Sequence, residues 1–163
     1  MPCCQRCTGL YAGACLATLL QLWLKPRPTS RALWLHGLCL LQMVPFGYHW
    51  LSQGPVLRSL TGVCFAFGLV QFLWLLPAAR RWVAQAPART NYLAAVLASA
   101  ALIPALGNSP SPLAARLLTA LAIVGLLALT LLALANLGLL ALALVHLARP
   151  AGPVEKLSPP GEP

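Results

Sequence analysis

Six cysteines are spread along the chain, and three of them fall within its first seven residues. Cys4 and Cys7 make a C-x-x-C with Arg6 between them, and Cys3 adjoins the pair. Thiols at that spacing serve equally as a dithiol, a disulfide or half of a metal site. Cys7 stands at or just before the start of an apolar run. There the free N–H groups and dipole of a helix terminus favour a thiolate, and Arg6 adds to the effect. In a redox site Cys7 would attack and Cys4 would resolve. In a metal site Cys3, Cys4, Cys7 and His49 would form a three-cysteine, one-histidine set for zinc, although the adjacency of Cys3 and Cys4 makes a regular tetrahedron awkward. Cys15, Cys39 and Cys64 lie inside apolar runs and read as small buried hydrophobes. His36 and His146 fall toward the other end and could face each other as haem axial ligands, with no spacing to support it beyond depth.

These groups must be positioned by helices in lipid. Of the 163 residues, 60% are hydrophobic and 8% charged, with a mean hydropathy of +0.79. A soluble globule of this size could not hide so much apolar surface, whereas a bilayer can. The expected fold is an all-α, polytopic transmembrane helical bundle of about five helices. The net charge of +9 sits in the gaps between apolar runs, where it acts on topology and lipid headgroups and not on nucleic acid. Glu155 and Glu162 are the only acids, so an ion-coupled pump or a paired-carboxylate acid/base site inside the membrane is excluded.

The apolar runs place helices at about 8–24, 32–51, 56–76, 92–106 and 113–147, within a transmembrane domain spanning 1–148. The first run reads as a retained helix, because its Cys-Arg-Cys-Thr-Gly entry fits a cleavable signal poorly. Pro26 and Pro28 stop that helix, Pro45 and Gly47 kink the second, and Pro104 interrupts the fourth. Arg80, Arg81 and Trp82 suggest a short interfacial helix. The fifth run would reach about 50 Å, more than a ~30 Å hydrocarbon core needs and too short for two crossings with a turn, so it reads as one long tilted helix that Gly125, Asn136 and Gly138 could bend. Residues 149–163 read as a disordered, Pro-rich tail.

Five crossings put the termini on opposite sides. One side receives Lys25, Arg27, Arg31, Arg80, Arg81, Arg89, Arg149 and Lys156, and the other only Arg6, Arg58 and Arg116. Eight cations against three predict an outer N-terminus and a cytoplasmic tail in a multi-pass cell-membrane protein. The outer face would then gather Cys4, Cys7, His49, Trp50, Gln53, Arg58 and Arg116. Arg6, Arg58 and Arg116 are candidates for an anion or lipid headgroup, or for snorkelling alone. Gly9 and Gly13 make a G-x-x-x-G, and with Gly62 they read as helix-packing seams, within the chain first and between copies second. Gln21 and Gln71 are isolated polar groups that could bond to neighbouring helices.

The stretch Cys4-Gln-Arg6-Cys7-Thr8-Gly9-Leu-Tyr11-Ala-Gly13 resembles the C-x-R-C-T-G-x-Y-x-G signature of an uncharacterised family of small prokaryotic membrane proteins. Arg58-Ser-Leu-Thr61-Gly62, with Gly68 beyond it, is similar to that family's R-x-x-T-G segment at the entry to its third helix. His49-Trp50-Leu-Ser-Gln53 falls where the family carries Asp-Gly-x-x-Gln, so the acidic residue is replaced here. The resemblance covers about the first 75 residues. It implies an upstream segment with a further Cys-His pair, and it brings no reaction with it.

Three function classes follow. The first is an integral membrane protein with a Cys-centred, structural or metal-binding site at its non-cytoplasmic face. The second is a membrane thiol–disulfide or quinone-linked oxidoreductase, which would want a second dithiol as relay. The third is a small transporter or lipid-binding subunit. Membrane lipid is the expected partner in each, with a homo-oligomer or a larger membrane complex as the expected assembly.

Overall fold

The computed structural model describes residues 4–24, 29–48, 50, 52–79 and 89–148. They form α1 (Gln5–Leu24), α2 (Ser30–Leu41), α3 (Met43–Gly47), α4 (Pro55–Ala79), α5 (Arg89–Gly107) and α6 (Pro112–Ala148). The helix starts follow local chemistry. The Thr29 hydroxyl accepts the Ala32 N–H at 3.3 Å as the cap of α2. Pro55 and Pro112 occupy the first positions of α4 and α6, where a missing N–H costs nothing. Pro45 cannot donate to the Leu41 carbonyl, and the second helix accordingly breaks at Gln42 into α2 and α3. Pro104, by contrast, lies inside α5 without ending it. The interfacial helix expected at Arg80–Trp82 and the tail at 149–163 lie outside the described residues.

The described residues therefore make an all-α bundle of five columns, α2 and α3 being one broken helix. Three helices are long and apolar enough to cross a bilayer: Gln5–Leu24, Pro55–Leu75 and Pro112–Ala148. The apolar part of α5, Asn91–Gly107, is shorter. The chain is a multi-pass membrane protein whose lipid-facing surface carries Leu19, Leu22, Trp23, Leu38, Leu127, Leu131 and many other large exposed side chains.

Inside the bundle the residues are small. The buried positions of α1 are Thr8, Gly9, Ala12, Gly13, Ala14, Cys15, Ala17 and Gln21. Lipid supplies no hydrophobic force between helices, so close backbone approach and van der Waals contact must do that work. A Cβ on Gly9 would collide with the Ser59 carbonyl, and one on Gly62 with the Arg6 carbonyl and the Leu10 amide. A Cβ on Gly13 would lie 3.0 Å from Val63 Cα. These contacts, with the Gln21–Gln71 hydrogen bond, run α1 and α4 parallel at a constant offset of 50 residues. On the other side of α1, Gly125 brings α6 against the Tyr11 carbonyl and the Cys15 amide. Gly125 is thus a packing position in an unbroken helix and not a bend. The buried residues Leu118, Gly125, Leu132 and Leu139 of α6 recur every seventh position, as in left-handed helix packing.

By this register Trp23 of α1 and Trp74 of α4 fall at nearly one depth, and Trp23 is 84% exposed. Tyr48 and Trp50 stack with ring centroids 6.0 Å apart at the cysteine end. Trp23 and the Tyr48–Trp50 stack thus lie toward opposite ends of α1, as two interfacial belts would. Beyond Leu139, helix α6 runs on through residues 140–148 as an exposed, apolar end.

Gly125→Ala should destabilise the bundle by about 1–3 kcal/mol, because neither backbone atom it meets can move without shifting α1. Gly138, which has nothing within 4 Å of a built Cβ, should tolerate alanine with a change below about 1 kcal/mol. Unfolding titrations of both variants in mixed micelles check the contrast.

Candidate functional site

Helix α1 begins at Gln5, three residues earlier than the apolar pattern predicts, and this reassigns the two thiols. Cys4 is the cap. Its carbonyl accepts the Thr8 N–H at 2.9 Å, and its Sγ accepts the Cys7 N–H at 3.3 Å. Cys7 lies one turn on, inside the helix, with its Sγ 2.7 Å from that of Cys4. Cys4 is exposed and Cys7 half-buried. The hydrogen between two neutral thiols can sit on either sulfur. When one proton leaves, the Cys7 S–H donates to the Cys4 thiolate. That hydrogen bond is the chief reason the Cys4 thiol is held below the ordinary cysteine range; slight burial works against it. The N–H groups of Cys7 and Arg6 and the Arg6 charge add to the lowering.

Arg6, a candidate for an anion or headgroup, is bonded within the chain. Its Nη2 donates to the Phe46 carbonyl and to Gln53 Oε1, both at 2.9 Å, and Gln53 Nε2 donates to the same carbonyl at 2.9 Å. The closed triangle fastens α3 and the segment before α4 onto the first turn of α1. Its Nε is buried without a protein partner. Arg58 and Arg116 lie toward the same end of the bundle and are exposed. A narrow cleft lined by Gln5, Thr8, Pro55, Ser59, Ile103, Gly107 and Asn108 adjoins the cysteine pair. Cys3 and His49 lie outside the described residues. Among the described residues no three His, Cys, Asp or Glu side chains are grouped to hold a metal ion.

The bundle also holds a second polar cluster near its opposite end. His36 is buried, with Nδ1 2.6 Å from the Ala32 carbonyl and Nε2 2.9 Å from the Tyr92 hydroxyl. A carbonyl only accepts, so the proton of the neutral ring sits on Nδ1, and Tyr92 donates to Nε2. Gln21 bonds the Tyr92 oxygen and also donates to Gln71 Oε1. The result is a hydrogen-bonded chain, Gln71–Gln21–Tyr92–His36–Ala32, that runs outward from Gln21 in both directions and links α1, α2, α4 and α5. His146 is exposed on α6 while His36 is committed to Tyr92, so the two do not face each other as a ligand pair. A count of residues from the helix ends places Gln21, His36, Gln71 and Tyr92 at similar depth in the sequence. The partnership itself depends on helix rotation, which apolar runs of this kind do not encode.

Arg6→Lys should leave the clamp open, since an ammonium cannot serve both acceptors with the guanidinium's planar fork; faster proteolysis within 47–54 would reveal it. Tyr92→Phe leaves His36 Nε2 buried and unpaired and should cost about 1–2 kcal/mol in micelle unfolding.

No curated protein and no solved structure matches the chain. Residues 1–72 do match a family model, described as "Predicted membrane protein (DUF2085)". That span contains the Cys4–Gly13 and Arg58–Gly68 segments, and residues of the two meet here: Gly9 with Ser59, Gly62 with Arg6 and Leu10. Over residues 1–72, which hold the cysteine pair and its clamp, this chain is similar to the DUF2085 family of predicted membrane proteins.

Proposed function

We propose that the Cys4–Cys7 pair is a thiol–disulfide exchange site on the non-cytoplasmic face of the membrane. The observation that carries this reading is the cap geometry: an exposed Cys4 sulfur that receives the Cys7 amide at 3.3 Å and lies 2.7 Å from the Cys7 sulfur. Face assignment rests on charge. The order of the apolar runs assigns eight cations to the side opposite the pair and three to its own side, and cations favour the cytoplasm. An outward-facing pair works in an oxidising compartment.

The reaction needs no cofactor. The Cys4 thiolate attacks one sulfur of a partner disulfide, a mixed disulfide forms, and the other partner sulfur leaves as thiolate. Cys7 then loses its proton to solvent and attacks Cys4 Sγ. The Cys4–partner bond breaks, leaving a Cys4–Cys7 disulfide and a partner dithiol. In the reverse direction the pair donates the disulfide. The Arg6–Gln53–Phe46 clamp fixes the first turn of α1 and so keeps both sulfurs in register. The zinc reading would need Cys3 and His49 as further ligands beside this pair.

Alkylation of the purified protein across a pH series tests the site. The thiolate of Cys4 is favoured in the folded state, so its rate should reach a plateau at lower pH than that of an ordinary cysteine, and denaturation should move the profile back up. Cys7→Ser should trap a mixed disulfide on Cys4, and Cys4→Ser should trap none. A faster-reacting Cys7, or two sulfurs inert to both alkylation and disulfides, would sink the assignment.

A further inference from the structure

The remaining cysteines were expected to be separate hydrophobic fillers. Cys15 is buried in the core, but Cys39 and Cys64 meet. Helices α2 and α4 are antiparallel and tied at two points. Gln42 Nε2 donates to the Thr61 carbonyl at 2.9 Å, and Gly68 admits the His36 carbonyl and the Leu40 side chain. Cys39 is one turn before Gln42 and Cys64 one turn after Thr61, so the tie points bring them opposite each other, with their thiols near enough to interact. Both are half-buried. By the α1–α4 offset, Cys64 lies about 15 Å deeper than Cys4. Direct exchange between the two pairs is out of reach.

We propose that Cys39 and Cys64 are a second, intramembrane dithiol that is oxidised to a disulfide by a lipid-soluble quinone. Two arguments select this chemistry. Neither α2 between Arg31 and Leu41 nor α4 between Arg58 and Leu75 carries a Lys or Arg. A lone thiolate there would be an uncompensated charge in low dielectric, whereas the dithiol and the disulfide are both neutral. Access is the second argument. An apolar cleft lined by Leu38, Leu41, Gln42, Val44 and Pro45 opens at the helix break, on the side that lipid reaches, and its lining residue Leu38 is the chain neighbour of Cys39. An aromatic, uncharged oxidant from the bilayer suits it, and a water-soluble one does not. In the step, two S–H bonds break and one S–S bond forms. Two electrons and two protons pass to the quinone, which leaves as hydroquinone.

The proposal stands apart from the Cys4–Cys7 reading, and its test uses Cys3→Ser/Cys4→Ser/Cys7→Ser protein as well as the unaltered chain. Each is placed in nanodiscs with a decyl-benzoquinone, alkylated and read by mass spectrometry. The expected result is joint loss of alkylation at Cys39 and Cys64, its recovery with dithiothreitol, a linked α2–α4 peptide, and hydroquinone formed at about one equivalent, as the two-electron couple requires. Adding Cys64→Ala should abolish hydroquinone formation and leave Cys39 fully alkylated. Continued alkylation of both cysteines under excess quinone, a quinone adduct on either sulfur, or loss at Cys39 that persists with Cys64→Ala would each overturn it. The unaltered chain must give the same linked peptide. Its absence there overturns the proposal too.

Discussion

The structure depends on backbone-to-backbone contact of α1 with α4 on one side and α6 on the other. In lipid, leucine gains nothing by turning inward, and helices associate only where their surfaces fit closely. Gly9, Gly13 and Gly62 remove the Cβ atoms that would separate α1 from α4, and Gly125 does the same for α6. The large side chains are then left to face lipid. Close approach also sets the register. Once Gly9 lies on Ser59, Gln21 must meet Gln71 three turns on, and the Cys4 end must lie beside the start of α4.

Polar groups within this frame obey a stricter rule than in water, because an unpaired donor finds no solvent. Several of those held between the helices are engaged in pairs and chains, while Arg6 Nε and Thr18 Oγ1 are buried without a protein partner. Arg6 bonds Gln53 and Phe46, Asn136 Nδ2 donates to the Leu73 carbonyl at 2.8 Å, and Gln71, Gln21, Tyr92 and His36 are joined by hydrogen bonds across four helices. Such a chain rigidifies the end of the bundle opposite Cys4, where α1 has no glycine seam of its own. The thiols divide by the same logic. Cys4 sits at an exposed helix terminus, where N–H groups and a cation can stabilise a thiolate. Cys39 and Cys64 are half-buried between α2 and α4, with no Lys or Arg beside them on either helix. The two thiol pairs thus sit in different surroundings.

Much of this was legible in the chain. The apolar runs, the prolines that punctuate them and the scarcity of acids specify a helical membrane bundle, because hydrocarbon thickness and backbone hydrogen bonding leave few alternatives. The nearness of Cys4 and Cys7 follows from spacing alone, since residues three apart share a helix face. The contact of Arg6 with Phe46 and Gln53, forty or more residues away, does not. Gly125 reads in sequence as a bend for the same reason: nothing local reveals that the α1 backbone lies against it.

What the sequence determined by itself is therefore the solvent, the helices and the cysteine pair at the head of α1, all consequences of local composition and periodicity. What tertiary structure decided is which residues meet: Arg6 with Gln53, His36 with Tyr92, Cys39 with Cys64. Helices that are apolar all round show no preferred inner face along the chain. Only the fit of one backbone into another chooses their rotation, and that choice creates the polar chain and the second thiol pair.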